Sequence, residues 1–168
     1  MISGEKIREQ ILAGAGKAQE LLKERGETLT TAESCTGGML AAYVTSVPGA
    51  SAVYPGGFVT YSAGQKAAML GIPEEDLAAW GIVSKETAAA MAAGAAGKTG
   101  ADAALSVTGN AGPDRLEDKP VGLVYIGCAY RGNVCAREYH FSGSRQEIRL
   151  LTAEAAFRLL LECMEEEH

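Results

Sequence analysis

An α/β fold with a mixed sheet is what the sequence predicts, on three observations. β-prone runs alternate with helical patterns from the N-terminus to residue 108, the mark of strand–helix–strand units. Two further β-prone runs flank a turn within Arg131-Gly132-Asn133 and add an antiparallel hairpin. No internal repeat or linker divides the 168 residues, so a single domain spanning residues 1–168 is expected, long enough to bury roughly 70% of its unfolded surface.

Taken in order, Ile7, Ile11, Leu12, Ala15, Ala18, Leu21 and Leu22 recur at helical spacing, predicting an amphipathic helix over 4–25 that Gly26 ends. Thr28 to Ala32 is a short β-prone run. From Cys35 to about Ser46 the pattern is helical again, closed by Pro48 and Gly49. Ser51 to Tyr61 is the second β-prone run, which Pro55-Gly56-Gly57 should bend or break. Ser62 with Gln65 three residues on is a capping box, starting a helix with Lys66 in its first turn. A positive charge there opposes the helix dipole by ~0.3–1 kcal/mol, and the same field helps lower an ammonium pKa.

Pro73 and the acids Glu74, Glu75 and Asp76 suit the start of a short helix through Ala79, with Gly81 as its C-cap. Ser84 caps an alanine-rich helix to about Lys98, whose small side chains suit it to lie flat on a sheet. Ala103 to Thr108 reads as a buried strand ending in the loop Gly109-Asn110-Ala111-Gly112-Pro113-Asp114. Strands follow over Leu123–Tyr130 and Val134–Phe141. If Arg131 and Gly132 are the hairpin loop residues, Cys128 and Cys135 face each other; if Gly132 and Asn133 are, they do not. Ser144 with Glu147 is a second capping box, opening the last helix, Arg145 to Met164. Its polar residues Arg149, Thr152, Glu154, Arg158 and Glu162 occupy one side and the rest is apolar.

Those last features bear on assembly. The alanine-rich helix and the last helix carry more apolar surface than one sheet face covers, so a homodimer or larger symmetric assembly is expected, unless the N-terminal helix covers them within one chain. Fifteen Lys and Arg against 21 Asp and Glu give a net charge of −6, with no basic stripe for nucleic acid. No apolar run approaches the ~20 residues of a membrane span and the N-terminus lacks a signal-peptide pattern, so a cytoplasmic protein is expected. Four cysteines without Cys-x-x-Cys spacing, and only two histidines, argue against zinc and for free thiols.

The stretch that carries chemistry is Thr31-Ala32-Glu33-Ser34-Cys35-Thr36-Gly37-Gly38, at a strand-to-helix junction. Ser34 is read either as an N-cap, accepting from free backbone N–H groups, or as a nucleophile at a helix start whose dipole attracts negative charge. An unaided serine is a weak nucleophile. No histidine lies in any motif, whereas Lys66 sits in an electropositive helix start and is the candidate base. Cys35 is a rival nucleophile, although a neighbour on a helix start points about 100° away around the axis.

Thr31 to Gly38, Gly57-Phe-Val-Thr-Tyr-Ser62 with Lys66, Ser106-Val-Thr-Gly109 with Ala111-Gly-Pro113, and Lys119-Pro-Val-Gly122 resemble, in order, the motifs of the CinA C-terminal domain family. The resemblance covers about Glu5 to Glu162. It implies a three-layer α/β/α sandwich and the activity of a nicotinamide mononucleotide (NMN) deamidase, an amidohydrolase of pyridine nucleotide salvage that releases ammonia and leaves nicotinate mononucleotide. Some relatives carry an additional N-terminal molybdopterin-binding-like domain; this chain is expected to comprise the amidohydrolase domain alone. The alternative is a catalytically silent nucleotide-binding or regulatory module.

On that resemblance Ser34 is the nucleophile and Lys66 the base, with Tyr61 matching a tyrosine that relays or steadies the proton between them. Backbone N–H groups of Thr36, Gly37 and Gly38 form the oxyanion hole. Thr108, Gly109 and Gly112 offer a hydroxyl and open backbone to the nucleotide. Arg145 matches the cation expected to help depress the Lys66 ammonium and to bind phosphate or carboxamide. Asn110 departs from a position that is usually apolar in the family, and Arg145 lacks the acidic residue commonly placed just before it. The nucleotide is substrate, and neither cofactor nor metal is expected.

Overall fold

Alternation of large and small side chains along the central strands decides how the layers stack. The computed structural model describes residues 2–166. Its strands are β1 (Leu29–Glu33), β2 (Phe58–Val59), β3 (Ala103–Gly109), β4 (Leu123–Tyr130) and β5 (Asn133–His140). They form one sheet in the order β2-β1-β3-β4-β5. β1 is parallel to both β2 and β3, whereas β4 is antiparallel to β3 and β5 to β4. The helices are α1 (Gly4–Arg25), α2 (Met39–Ser46), α3 (Ala63–Leu70), α4 (Glu74–Trp80), α5 (Lys85–Thr99) and α6 (Arg145–Glu166).

Successive strand residues point to opposite faces. Leu105, Val107, Val124, Ile126 and Cys128 share one core with Ile11 and Leu22 of α1, Leu40 of α2, and Phe157 and Leu160 of α6. On the other face β1, β3 and β4 offer the small residues Ala32, Ala104 and Ala129 to Met91, Ala92 and Ala95 of α5, with Leu70 and Leu77 of α3 and α4 behind. Ser106 Oγ donates to the Ala88 carbonyl at 2.5 Å, and a Cβ added at Gly127 would come within 2.4 Å of that same oxygen. A larger residue at either place would lift α5 off the sheet. The result is the three-layer α/β/α sandwich with a mixed sheet.

Local expectations are met where a capping side chain sets them. Ser62, Ser84 and Ser144 accept from Gln65, Thr87 and Glu147 N–H. Two elements are shorter than the β and helix patterns suggest. Of the run Ser51–Tyr61 only Phe58–Val59 pairs in the sheet, and Ala50–Ala52 is a 3-10 turn, because Pro55-Gly56-Gly57 breaks the run. The helix expected from Cys35 starts at Met39, because Gly37 and Gly38 both take positive φ, 58° and 105°, conformations that a continuing helix of L residues avoids.

The hairpin turns on Arg131 and Gly132, both at positive φ as a two-residue primed turn requires, so Cys128 stands opposite Cys135. All four cysteines are free thiols. On α6 the reading of a polar side fails at Thr152, which is fully buried and donates to the Ile148 carbonyl. The apolar face that suggested a second subunit is covered within the chain: Ile7, Ile11, Ala15 and Ala18 of α1 join Ala153, Ala156 and Phe157 of α6 in one core. Among the described residues no helix is long and apolar enough to cross a membrane.

Candidate active site

After β1 the chain covers one face of the sheet with α2 and steps outward to β2; after β2 it covers the other face with α3, α4 and α5 and returns past β1 to β3. Where connections diverge in this way, a crevice opens at the C-terminal ends of the parallel strands. Ser34 follows the last residue of β1, Thr60 and Tyr61 follow β2, and the loop Asn110–Asp114 follows β3. They meet around a cavity of about 320 Å³ lined by Ser34, Cys35, Tyr61, Gly109, Gly112 and Arg145 among others, within the range of small-molecule sites.

Glu33 decides which reading of Ser34 the fold adopts. Its fully buried carboxylate accepts from Leu40 N–H at 2.8 Å, Ala41 N–H at 3.1 Å and Thr36 Oγ1 at 2.7 Å. Thus the last residue of the strand caps α2, whose N-cap position is Gly38 with no side-chain bond of its own. Ser34 is therefore not the cap. Its backbone N–H donates to the Val107 carbonyl, which pins the turn to β3, and its hydroxyl lies 3.1 Å from Lys66 Nζ.

Lys66 is fully buried, one turn into α3 behind the Ser62 cap. Nζ donates to the Thr60 carbonyl at 2.8 Å and to Ser34 Oγ. Burial lowers the ammonium from its usual 10.5 to about 8, with the neighbouring Cys35 thiol acting weakly in the opposite sense. The fall comes from desolvation, and Arg145 is not among its causes, so that part of the expectation for Arg145 is corrected. Cys35 is itself pushed up to about 12 by burial. It stays a protonated thiol, which weighs against it as nucleophile.

Arg145 and Tyr61 form a pair on the cavity wall. Arg145 donates to Tyr61 Oη at 2.8 Å and to the Gly112 carbonyl at 2.6 Å. Tyr61 is 59% exposed and its hydroxyl bonds to the arginine, not to Lys66 or Ser34. The lysine reaches the serine directly, so no tyrosine relay is needed between them. Both acceptors on Arg145 are neutral, which leaves its charge facing the cavity, with Asp114 the acid in the same lining.

Two other expectations change. The Thr108 hydroxyl is buried and donates to the Ile82 carbonyl at 2.8 Å; it holds the α4–α5 connection to β3 and is not available to a ligand. Gly37 N–H closes a turn onto the Ser34 carbonyl at 2.9 Å, whereas those of Thr36 and Gly38 have no acceptor among the described residues. Gly109 and Gly112 do line the cavity. Asn110, at the position where the resemblance leads one to expect an apolar residue, is 2% exposed. It staples its own loop, with Nδ2 donating to the Leu116 and Lys119 carbonyls and Oδ1 accepting from Leu116 N–H.

Sequence reasoning missed Glu33 and Arg149 as site residues. Arg149, four residues after Arg145 and so on the same face of α6, donates to the Cys35 carbonyl at 3.1 Å and the Thr36 carbonyl at 2.9 Å. It clamps the nucleophile turn from outside. The i, i+4 spacing of the two arginines was the available signal. For Glu33 it was a carboxylate closing a buried strand, which needs donors and finds them in the turn and helix that follow.

Comparison with known proteins identifies the family. The family described as "CinA C-terminal domain" matches residues 13–164. A "CinA-like protein" of Geobacter metallireducens is 46% identical over 158 residues, 90% of this chain and 38% of that protein. A "Putative competence-damage inducible protein" of Desulforamulus reducens is 46% identical over 140 residues, 83% of this chain and 34% of the other. The chain thus spans about a third of the length of these curated relatives. Among solved structures, a CinA superfamily protein from Klebsiella pneumoniae superposes with a TM-score of 0.89 at 32% identity, covering 93% of this chain and 98% of that one. A competence/damage inducible protein from Agrobacterium tumefaciens gives 0.87 at 41% identity, covering 91% and 94%. With the family match running over nearly all of α1 to α6 and the fold shared at that level, the chain belongs to the CinA C-terminal domain family.

Proposed function

We propose that the chain is an amidohydrolase that converts nicotinamide mononucleotide to nicotinate mononucleotide and ammonia through a Ser34 acyl-enzyme. The observation that carries the reading is the 3.1 Å contact between Lys66 Nζ and Ser34 Oγ at the edge of the cavity, since serine catalysis needs a base in hydrogen-bond reach of the hydroxyl and a silent binding module does not. Neutral Lys66 takes the serine proton as Oγ attacks the carboxamide carbon. Thr36 and Gly38 N–H stabilise the oxygen that becomes negative in the tetrahedral intermediate. Lys66 then returns the proton to the departing nitrogen, which leaves as ammonia. Water, activated by the same lysine, hydrolyses the ester and restores Ser34.

Arg145 supports an anionic substrate, because among the described residues its guanidinium donates to neutral acceptors, the Gly112 carbonyl and Tyr61 Oη, and suits phosphate or the carboxamide oxygen. Ammonia release from NMN, compared with nicotinamide and intact NAD, tests the reading. Release from NMN with loss of activity in Ser34→Ala is expected. NMN binding without ammonia would instead identify a silent nucleotide-binding module of the same fold.

A further inference from the structure

The three cysteines of the C-terminal half converge although the chemistry at Ser34 uses none of them. Cys128 and Cys135 are paired across β4 and β5, and Cys163, in the penultimate turn of α6, brings its Sγ to 3.6 Å from Cys135 Sγ. A cavity of about 80 Å³ opens onto all three, with Tyr130 and Glu166 in its wall, room for a molecule the size of water or hydrogen peroxide. Cys128 is buried, whereas Cys135 and Cys163 are half-buried. Among the described residues no group of three or more His, Cys, Asp or Glu side chains is arranged to hold a metal ion. Cys163 lies 14 residues along α6 from Arg149, about 21 Å at 1.5 Å per residue, so the cluster stands apart from the candidate active site.

We propose that Cys135 and Cys163 are an oxidation site, at which a hydroperoxide converts the two thiols to a disulfide that ties the end of α6 to strand β5. The proposal is independent of the reading of Ser34.

Cys163 is the attacking sulfur. Hydrogen bonding from Cys128, and then from Cys135, holds its thiol down to about 7 against the opposing effects of burial and Glu166, with Arg137 a further cation nearby. Cys135 is pushed up to about 11 by burial and by the adjoining Cys163, and Cys128 is also raised, by its bond to Cys163 and by burial. Two thiols that stay protonated therefore donate to one that ionises near neutrality. The Cys163 thiolate attacks the peroxide; the O–O bond breaks, an S–O bond forms and hydroxide or alkoxide leaves. The resulting sulfenic acid is attacked by Cys135 Sγ, forming the S–S bond and releasing water. The sum is two thiols and one hydroperoxide giving one disulfide, water and an alcohol or second water. Reaching a bond of about 2.05 Å requires the sulfurs to close by roughly 1.5 Å. Side-chain rotation in the last turns of a helix readily supplies that.

Cysteine is also a small core residue with no chemical role, and the test separates the two cases. The full chain is exposed to hydrogen peroxide in buffer, quenched with maleimide and digested with trypsin. The expected product has lost two hydrogens, shows two of its four thiols blocked from maleimide, and yields peptide 132–137 linked to peptide 159–168, a link that dithiothreitol reverses. Cys163→Ser should abolish this product, whereas Cys128→Ser, which keeps both sulfurs of the pair but alters the hydrogen bonding to Cys163, should still form it, at a lower rate. Unmodified thiols at peroxide doses that oxidise free cysteine would overturn the proposal, as would a link from peptide 116–131 in place of 132–137. If Cys163→Ser folds poorly, Cys135→Ser gives the same answer from the exposed edge strand: it should accumulate sulfenic acid at Cys163 and no disulfide.

Discussion

Glu33 and Leu40 are joined by a hydrogen bond of 2.8 Å from the helix N–H to the buried carboxylate, and through it the strand caps the helix that follows. The cap therefore does not draw on Ser34. Ser34→Ala removes the bond with Lys66 Nζ, which keeps the Thr60 carbonyl as acceptor, and should cost about 0.5–1.5 kcal/mol while leaving the start of α2 capped. Glu33→Gln should cost about 1–3 kcal/mol, because an amide NH₂ would face a backbone N–H donor in place of an acceptor. Urea unfolding of the two variants checks the contrast.

Lys66 must be neutral to act as base, so kcat/KM should rise with pH through about 8, the value at which burial sets its ammonium. Relative to a lysine at its usual value, the neutral fraction at pH 7 is about 300 times larger. Ser34→Ala and Lys66→Ala should each remove nearly all ammonia release, and the double variant should be little worse than either. Cys35→Ala, lacking only a thiol that burial keeps protonated, should remain active and keep the same pH profile.

The same lysine makes a prediction about folding. Its folded pKa lies below its unfolded one, so between about 8 and 10.5 the unfolded chain binds more protons and stability rises with pH. Lys66→Met has no such group. The stability difference between the parent and Lys66→Met should therefore shift in favour of the parent as pH goes from 7.5 to 10.5, by up to ~3 kcal/mol. Denaturant titrations of both proteins at the two pH values measure it, and a difference that does not move with pH would mean that Lys66 is not desolvated.

Arg145→Ala should raise KM for NMN by about 10- to 100-fold with a smaller change in kcat, as expected when a charged binding contact is lost. Tyr61→Phe removes only the acceptor for Arg145 and should change KM less. A fall in kcat of about 100-fold or more in Tyr61→Phe would restore the proton-relay role.

A homodimer remains a proposal: α1 covers the apolar face of α6 within one chain, whereas on the alanine-rich α5 Ala93 is exposed and Ala89, Ala90 and Ala96 are half-buried. Light scattering at micromolar concentration decides it: twice the 17.4 kDa chain mass supports the assembly and a single chain mass ends it.

The sequence by itself determined whatever depends on neighbours a few residues apart. The serine caps at Ser62, Ser84 and Ser144, the 4–25 helix, the alanine-rich helix that rests on small strand residues, and the candidacy of Ser34 and Lys66 all follow from local pattern and residue chemistry. Tertiary structure alone decided which donor meets which acceptor across the fold. The octapeptide leaves Ser34 open between cap and nucleophile, and only the packing of β1 against α2 gives the cap to Glu33. It likewise turned Thr108 toward Ile82, paired Tyr61 with Arg145, swung Arg149 onto the nucleophile turn and laid α1 over the apolar face of α6. The physical reason is the range of the interactions: caps and helical periodicity act over three or four residues, whereas hydrogen bonds between residues 26 to 114 positions apart exist only once the sheet has brought the strand ends together.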